Sequence, residues 1–253
     1  MAQQQQGPLD FPRIKILSLG DATVGKSCLI KRFCEGRFVA KYIPTIGIDY
    51  GVKKADVAAQ SKRFSDIVTG TYHNPNFSAG GVGGGAARGS NSSLNFSAVR
   101  VNFWDIAGGE ESFEIRNEFY NATQGILLVF DVRNRKSFEN LQRWWDEICQ
   151  YVPLLSGSSS VSKRTSTTGT TAAGKAVMNA EGKTPVVMLL GNKCDDTPSE
   201  GGGGASRAVT EQEAQQWAEQ HRCIGYMDVS ASTDLHVQES FETLFFHVIG
   251  KFM

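Results

Sequence analysis

Segments with the apolar pattern of β-strands alternate along this chain with segments whose apolar residues have helical spacing. This alternation predicts an α/β domain. Segments with strand character stand at residues 14–19, 46–57, 99–103, 125–132, 185–190 and 224–229. Segments with apolar residues at helical spacing lie between these strands and after the last of them. Such alternation is typical of a mainly parallel sheet with helices packed on it.

Helical periodicity is clearest in the second half of the chain. One apolar face is expected from Phe138, Leu141, Trp145, Ile148 and Val152, with the two adjacent tryptophans packing rather than forming a ligand cage. A second apolar stripe consists of Val237, Phe241, Leu244, Phe245 and Val248. Thr210 and Glu213 have the spacing of a capping box, which predicts the start of a helix that runs through Trp217.

Three low-complexity segments interrupt this pattern, at residues 58–97, 156–182 and 198–207. Their Gly-, Ser-, Thr- and Asn-rich composition cannot form a packed core. We expect a flexible tail over residues 1–12 and a single domain over residues 13–253, with the three inserts lengthening surface loops at small entropic cost. The first insert is either a tolerated expansion or a segment that controls access of partner proteins.

Charge and targeting signals narrow the class of protein. The 26 basic and 26 acidic residues cancel, so nothing favours nucleic acid or an anionic membrane as a partner. The five cysteines lack metal-ligand spacing and are interpreted as reduced thiols. The chain shows no signal peptide, no apolar run near the ~20 residues of a membrane span, and no C-terminal cysteine for prenylation. We therefore expect an intracellular, cytoplasmic protein without a direct lipid anchor.

A phosphate-binding motif follows the first predicted strand and opens the first predicted helix. Residues 20–27 read Gly-Asp-Ala-Thr-Val-Gly-Lys-Ser, and in this context the backbone N–H groups can surround phosphate oxygens at the positive end of a helix dipole. Lys26 would reach the terminal phosphates, and the Ser27 hydroxyl would bind Mg²⁺. The predicted phosphate-binding set is Gly20, Asp21, Ala22, Thr23, Val24, Gly25, Lys26, Ser27 and Cys28.

Two further segments carry groups that suit the metal ion and the last phosphate. Asp105 ends a predicted strand and can hold Mg²⁺ through water, and the Gly108 N–H can meet the γ-phosphate. Thr45 lies in a predicted loop, where its hydroxyl could reach the metal and its N–H the γ-phosphate. The predicted magnesium ligands are therefore Ser27, Thr45 and Asp105.

The last two segments indicate a guanine base. The Asp195 carboxylate could accept hydrogen bonds from the N1–H and the exocyclic amine of guanine, a donor pair that adenine lacks. The Ala231 N–H could meet the guanine carbonyl. Each segment is a weak signal alone, but five of them in one order, each expected at the C-terminal end of a strand, are specific. The predicted guanine-binding residues are Asn192, Lys193, Asp195, Ser230, Ala231 and Ser232.

In these motifs the sequence resembles the Ras superfamily of small GTPases, and within it the Rab-like members. The resemblance covers nearly all of residues 13–252 outside the inserts. It implies a three-layer P-loop NTPase fold, with a six-stranded, mainly parallel sheet and helices on both faces. It also implies GTP or GDP with Mg²⁺ as ligands, stacking of guanine on Phe38, and partners comprising effectors, an exchange factor and a GTPase-activating protein.

Segments 45–52, 116–120 and 123–125 look like the RJL (Rbj-like) family, some of whose members carry a C-terminal J domain. This chain has no His-Pro-Asp motif after its last predicted helix, so it resembles the short forms. Members of this family are suspected of links to the cilium or flagellum, so the resemblance implies a ciliary, flagellar or nuclear location as an alternative to a purely cytoplasmic one.

One departure from the superfamily pattern concerns hydrolysis. Most Ras-like proteins carry Gln after the motif Asp-x-Ala-Gly, where it orients the attacking water, whereas this chain has Gly109. Ala22 also places a methyl group near the path of an arginine finger. The catalytic set implied by the resemblance, Thr45, Gly108 and the degenerate position Gly109, therefore predicts hydrolysis slower than the intrinsic ~10⁻⁴ s⁻¹ of Ras.

Three functions stay open at this point. The chain could be a GTP/GDP switch with slow turnover, or an adaptor that stays bound to GTP. A P-loop metabolic kinase is disfavoured, because it needs neither Asn192 nor Asp195 and the sequence offers no acceptor-substrate motif.

Overall fold

The computed structural model describes residues 11–41, 43–56, 97–109, 112–152, 183–196 and 206–253. Most of the three predicted inserts and residues 1–10 of the predicted tail lie outside the described residues. The strands are β1 (Arg13–Leu19), β2 (Ile48–Asp56), β3 (Ala98–Ile106), β4 (Gly125–Asp131), β5 (Val186–Asn192) and β6 (Tyr226–Val229). The α-helices are α1 (Lys26–Glu35), α2 (Phe113–Arg116), α3 (Arg135–Glu139), α4 (Leu141–Tyr151), α5 (Glu211–Gln220) and α6 (Val237–Phe252). Short 3₁₀ helices cover Asn117–Tyr120 and Cys194–Asp196.

These strands form one six-stranded sheet in the order β2-β3-β1-β4-β5-β6. All neighbouring strands are parallel except β2 and β3, which pair antiparallel from Ile48 opposite Ile106 to Asp56 opposite Ala98. Parallel strands buried on both faces read as continuous apolar runs, which is why β4 and β5 were visible in the sequence. The predicted α/β class is confirmed.

Alternate side chains of each strand supply two apolar layers. Ile14 and Ile16 of β1 belong to a cluster completed by helices α1 and α6, whereas Leu17 and Leu19 belong to a second cluster with helices α4 and α5. Phe33 of α1 stacks on Phe241 of α6 with ring centres 4.5 Å apart. Helices therefore cover both faces, as predicted.

The apolar stripe predicted over residues 138–152 runs over two helices rather than one. Helix α3 ends at Glu139 and helix α4 begins at Leu141, with a turn at Asn140. The Asn140 side chain donates to Asp21 of the phosphate loop at 2.6 Å, so the residue at this break contacts a segment 119 positions away in the sequence. The capping box of Thr210 and Glu213 is present and opens helix α5 as predicted.

Candidate functional site

The phosphate loop lies between β1 and α1, and its second glycine is required by a close approach. Gly25 has φ +99°, and a Cβ there would lie 2.2 Å from the Asn192 side-chain nitrogen. Asn192 itself donates to the Val24 carbonyl at 2.7 Å. The loop is therefore pinned at its helical end by a residue from β5, and only glycine fits between them.

Lys26 is the first residue of helix α1, at the end of this loop, and its side chain is almost fully buried. Its Nζ donates to the carbonyls of Gly20 and Asp21, each at 2.8 Å, so the loop curls around the ammonium group. Burial lowers the pKa of Lys26 to about 8, although the charges of Asp105 and Asp21 oppose the shift. A polyanionic ligand in the loop would add negative charge beside the ammonium and favour its charged form.

The three predicted magnesium ligands meet beside the loop. The Ser27 hydroxyl donates to Asp105 Oδ2, and the Ser27 and Thr45 hydroxyl oxygens lie 2.9 Å apart. Asp105 Oδ1 is buried and has no hydrogen-bond partner. Burial raises the pKa of Asp105, against the Ser27 hydrogen bond and the Lys26 charge.

This donor set suits Mg²⁺, which prefers oxygen ligands and keeps several waters. Two hydroxyls and one carboxylate provide such ligands, and the orphan oxygen of Asp105 is an acceptor that a metal-bound water could satisfy. Within the described ranges, no group of three or more His, Cys, Asp or Glu side chains could hold a metal. A metal held here would use the hydroxyls of Ser27 and Thr45 beside the Asp105 carboxylate.

Thr45 reaches the site by a route that the sequence prediction missed. It was expected, like the other segments, at the C-terminal end of a strand, but it precedes β2, which begins at Ile48. Because β2 is antiparallel to β3, its first residues lie at the edge where β3 ends with Asp105 and Ile106. The reversal of one edge strand thus brings Thr45 to the carboxyl edge of the sheet.

Gly108 packs directly on the phosphate loop. A Cβ there would lie 2.3 Å from the backbone nitrogen of Ala22, so no other residue fits without a shift of the loop. Gly109 follows, and its carbonyl accepts hydrogen bonds from the Ser112 N–H at 3.3 Å and from Arg116 at 2.8 Å. The segment expected to meet the γ-phosphate is therefore in contact with the loop expected to hold the other phosphates.

The predicted guanine-binding residues form the other end of the site. The Asp195 carboxylate accepts a hydrogen bond from the Ser232 hydroxyl at 2.6 Å. Burial acts to raise the pKa of Asp195, but hydrogen bonds from Ser230 and Ser232 outweigh it and the net pKa is lowered. An ionised carboxylate with two acceptor oxygens is the group that the N1–H and amine of guanine require.

Contacts of the neighbouring residues hold this end together. Asn192 Oδ1 accepts from the Ala231 N–H at 3.2 Å, so a contact of that N–H with guanine stays a prediction. Lys193 has φ +68° and pairs with Asp131 at 2.6 Å. Arg32 donates to the carbonyls of Ala231 and Ser232 at 2.8 Å, and its guanidinium lies 5.9 Å from the Phe38 ring centre.

One cavity of about 520 Å³ joins the two ends. The predicted residues that line it are Ala22, Thr23, Gly25, Lys26, Ser27, Cys28, Phe38, Thr45, Gly108, Gly109, Asn192, Lys193, Asp195, Ala231 and Ser232. Other predicted residues do not line the cavity but form hydrogen bonds to residues that do: Gly20, Asp21, Val24, Asp105 and Ser230. Lys31 and Arg133 also line the cavity and were not predicted.

Sequence reasoning also missed side chains on helix α2, on helix α4 and in the turn before α4 that support the site. Trp144 and Asn140 bind the Asp21 carboxylate, and Arg116 forms a buried ion pair with Glu147. Asn140, Trp144 and Glu147 are spaced at i, i+4 and i+7, one helical face, which is a signal that could have shown them as a set. Tyr50, Trp104 and Phe119 form a further unpredicted group, an aromatic row with ring centres 4.9 and 5.0 Å apart.

Comparison with known proteins identifies the class to which this fold and site belong. Residues 15–70, 86–163 and 158–249 match the model of the Ras family, so the chain belongs to that family. Ras-family GTPases bind guanine nucleotides, usually with Mg²⁺. Of the helices in the described part of the chain, none combines the length and the apolar character that crossing a membrane would require.

Among individual proteins, the chain is similar to those named DnaJ homolog subfamily C member 27. It is 30% identical to the Rattus norvegicus protein over 246 residues, which is 97% of this chain and 65% of that protein. It is 32% identical to the Gallus gallus protein and 31% identical to the Homo sapiens protein, in both cases over 94% of this chain and 62% of the relative. The chain thus spans a little under two thirds of these relatives.

Proposed function

We propose that this chain binds GTP and GDP with Mg²⁺ and acts as a slow molecular switch. The observation that carries the proposal is the single cavity that has Lys26 and Ser27 at one end and the Asp195 carboxylate at the other. A phosphate loop alone suits many nucleotides, whereas an ionised carboxylate at the base end favours guanine over adenine, because adenine would leave it unpaired.

Ser27, Thr45 and Asp105 would hold the metal ion. A Mg²⁺ ion held by these residues would neutralise charge on the phosphates. In this chain Ser27 and Thr45 supply hydroxyl oxygens, and Asp105 holds both hydroxyls by hydrogen bonds. The position of Thr45 in the segment before β2 means that loss of the γ-phosphate would release this segment, which is the basis of a switch.

Hydrolysis is proposed to be slow because Gly109 has no side chain to orient water. Its carbonyl is engaged by Arg116 and the Ser112 N–H. Very slow turnover favours a second candidate function, an adaptor that stays bound to GTP. The two candidates share the site and differ in the lifetime of the GTP-bound form.

Protein effectors are the proposed readers of the ordered loops. Ile46 is 94% exposed and Ile43 is 65% exposed, close to Thr45, and Tyr50 follows on the edge strand β2. Exposed apolar side chains beside a nucleotide-dependent loop suit a protein partner. An exchange factor and a GTPase-activating protein are proposed with them.

Membership of the RJL family is also proposed, and the similarity to the DnaJ homolog subfamily C member 27 proteins supports it.

The first test is to purify the protein under mild conditions, denature it and identify the nucleotide that it releases. Released GDP would support a cycling switch, and released GTP would support the adaptor. A competition assay then compares GTP with ATP on the emptied protein in the presence of Mg²⁺. Equal competition by ATP would contradict the guanine site and revive a P-loop kinase.

A further inference from the structure

A buried charge network lies behind the loop that carries Gly109. Arg116 is 3% exposed and donates from Nε and Nη2 to the two carboxylate oxygens of Glu147, both at 2.7 Å. The Tyr120 hydroxyl donates to the same carboxylate at 2.9 Å. The Arg116 guanidinium also lies over Trp144, 4.6 Å from the ring centre. Glu147, Tyr120 and Trp144 therefore hold the guanidinium in one orientation.

The remaining arm of that guanidinium points at the nucleotide site. Arg116 Nη1 donates to the Gly109 carbonyl at 2.8 Å. Gly108, the preceding residue, is pressed against the backbone of Ala22. The position of the guanidinium thus helps to determine where the backbone of Gly108 and Gly109 lies relative to the phosphate loop.

The same network also contacts the phosphate loop itself. Trp144 donates from its indole nitrogen to Asp21 Oδ1 at 2.8 Å, and Asn140 donates to the other oxygen of that carboxylate. One side chain, Trp144, therefore contacts both Asp21 and the guanidinium that holds Gly109. The two segments expected to bind phosphate share one anchor on helix α4.

Stability alone is a weak explanation for this ion pair. Apolar residues of similar volume often replace a buried ion pair at no cost in folding free energy. What they could not replace is the hydrogen bond to the Gly109 carbonyl. Two successive glycines lose more conformational freedom on ordering than other residues do, so Gly108 and Gly109 depend on such an anchor.

We propose that Arg116 is a positioning residue, which holds the Gly109 carbonyl so that the Gly108 N–H is aimed at the terminal phosphate of GTP. The inference rests on the proposed function, because it concerns the preference of that site for GTP over GDP. GDP has no γ-phosphate and makes no use of this N–H. Loss of the anchor therefore weakens GTP binding and leaves GDP binding nearly unchanged.

The test uses two variants that remove the anchor in different ways. The variant Arg116→Lys keeps a charge beside Glu147 but lacks the fork that reaches both Glu147 and Gly109. The triple variant Arg116→Met, Tyr120→Phe, Glu147→Leu replaces the ion pair and the tyrosine hydroxyl that bonds to it by apolar groups. The control Glu213→Gln removes one charge of the exposed ion pair of Arg135 and Glu213, whose closest atoms are 2.7 Å apart and neither of which lines the cavity.

Affinities for GDP and for a non-hydrolysable GTP analogue are measured with Mg²⁺ on each protein, together with its melting temperature. For both anchor variants we expect the analogue to bind about tenfold more weakly, the scale of one charged hydrogen bond, with GDP affinity changed less than about twofold. The control should match the wild type for both nucleotides. The triple variant is expected to melt near the wild-type temperature.

Other outcomes separate the failure of this inference from that of the proposed function. Equal weakening of GDP and the analogue, in folded variants, would mean that the network supports the domain and has no positioning role. Unchanged affinities in a folded triple variant would also overturn the inference. Wild-type protein that binds neither nucleotide would instead contradict the proposed function itself.

Discussion

The side-chain nitrogen of Asn192 donates to the carbonyl of Val24 at 2.7 Å, and this bond joins two segments of the proposed nucleotide site. Asn192 lies at the end of β5, and Val24 lies in the phosphate loop after β1. The other atom of the same amide accepts from the Ala231 N–H. One side chain therefore ties the phosphate loop to the loop that follows β6.

Replacing Asn192 tests this tie. In the variant Asn192→Ala, the buried Val24 carbonyl and Ala231 N–H lose their partner, so we expect the free energy of unfolding to fall by about 2–4 kcal/mol. Nucleotide affinity should fall as well, since both ends of the site lose their link. Chemical denaturation and nucleotide titration measure the two effects. A variant as stable as the wild type would show that the tie is dispensable.

Asp195 is predicted to determine base specificity. In the variant Asp195→Asn, the side-chain shape is kept but one acceptor oxygen becomes a donor, so GTP affinity should fall by about a hundredfold or more. Xanthosine triphosphate offers a carbonyl where guanine has its amine, and it should bind the variant better than GTP does. Competition between the two nucleotides measures this. Retained preference for GTP would place the base elsewhere.

Gly109 is predicted to limit hydrolysis. The variant Gly109→Gln restores an amide that can orient water, and the single-turnover rate should rise by about tenfold or more. Gly109→Ala is the matched control, because it adds a side chain without an amide. A rate that is unchanged in Gly109→Gln, or raised equally in both variants, would show that the missing glutamine is not the cause of slow turnover.

Lys26 is predicted to make nucleotide binding depend on pH. In the empty site burial lowers the pKa of Lys26 to about 8, and phosphate oxygens around the ammonium would raise it. Below pH 7 the Lys26 ammonium is charged before and after binding, so it makes no contribution to the pH dependence of nucleotide affinity. Above pH 8 the empty protein must take up a proton to bind, and affinity falls by up to about tenfold per pH unit.

Calorimetric titration of the emptied protein at pH 8.5–9, in two buffers with different ionisation enthalpies, detects this proton. The difference in binding enthalpy between the two buffers should correspond to uptake of close to one proton per nucleotide bound. The same titration near pH 6.5 is the control and should show no proton uptake assigned to this group. If the number of protons taken up on binding were the same at both pH values, the predicted change in the pKa of Lys26 would be contradicted.

Much of the fold could be predicted from the sequence, because parallel strands buried on both faces leave continuous apolar runs. β1, β4 and β5 were located to within a few residues for this reason, and the capping box of Thr210 and Glu213 marked the start of α5. The break at Asn140 was missed. Its side chain bonds to Asp21, more than a hundred positions away, and periodicity carries no information about such a contact.

The candidate site divides in the same way. Local motifs were enough to propose Lys26, Ser27, Asp105, Asn192 and Asp195, because each motif combines a turn geometry with a side chain of definite chemistry. Arg116 and Glu147 were not proposed. Their ion pair joins helix α2 to helix α4, and neither residue belongs to a motif with a chemical signature of its own.

The sequence by itself determined the alternation of strands and helices, the phosphate loop and the residue types that suit magnesium and guanine, since all of these depend on neighbours along the chain. Only the tertiary structure decided that β2 runs antiparallel and delivers Thr45 beside Asp105, that Asn192 links the loops, and that Arg116 holds Gly109. The physical reason is that these relationships depend on how strands are ordered and packed, and contacts between distant segments leave no period in the sequence.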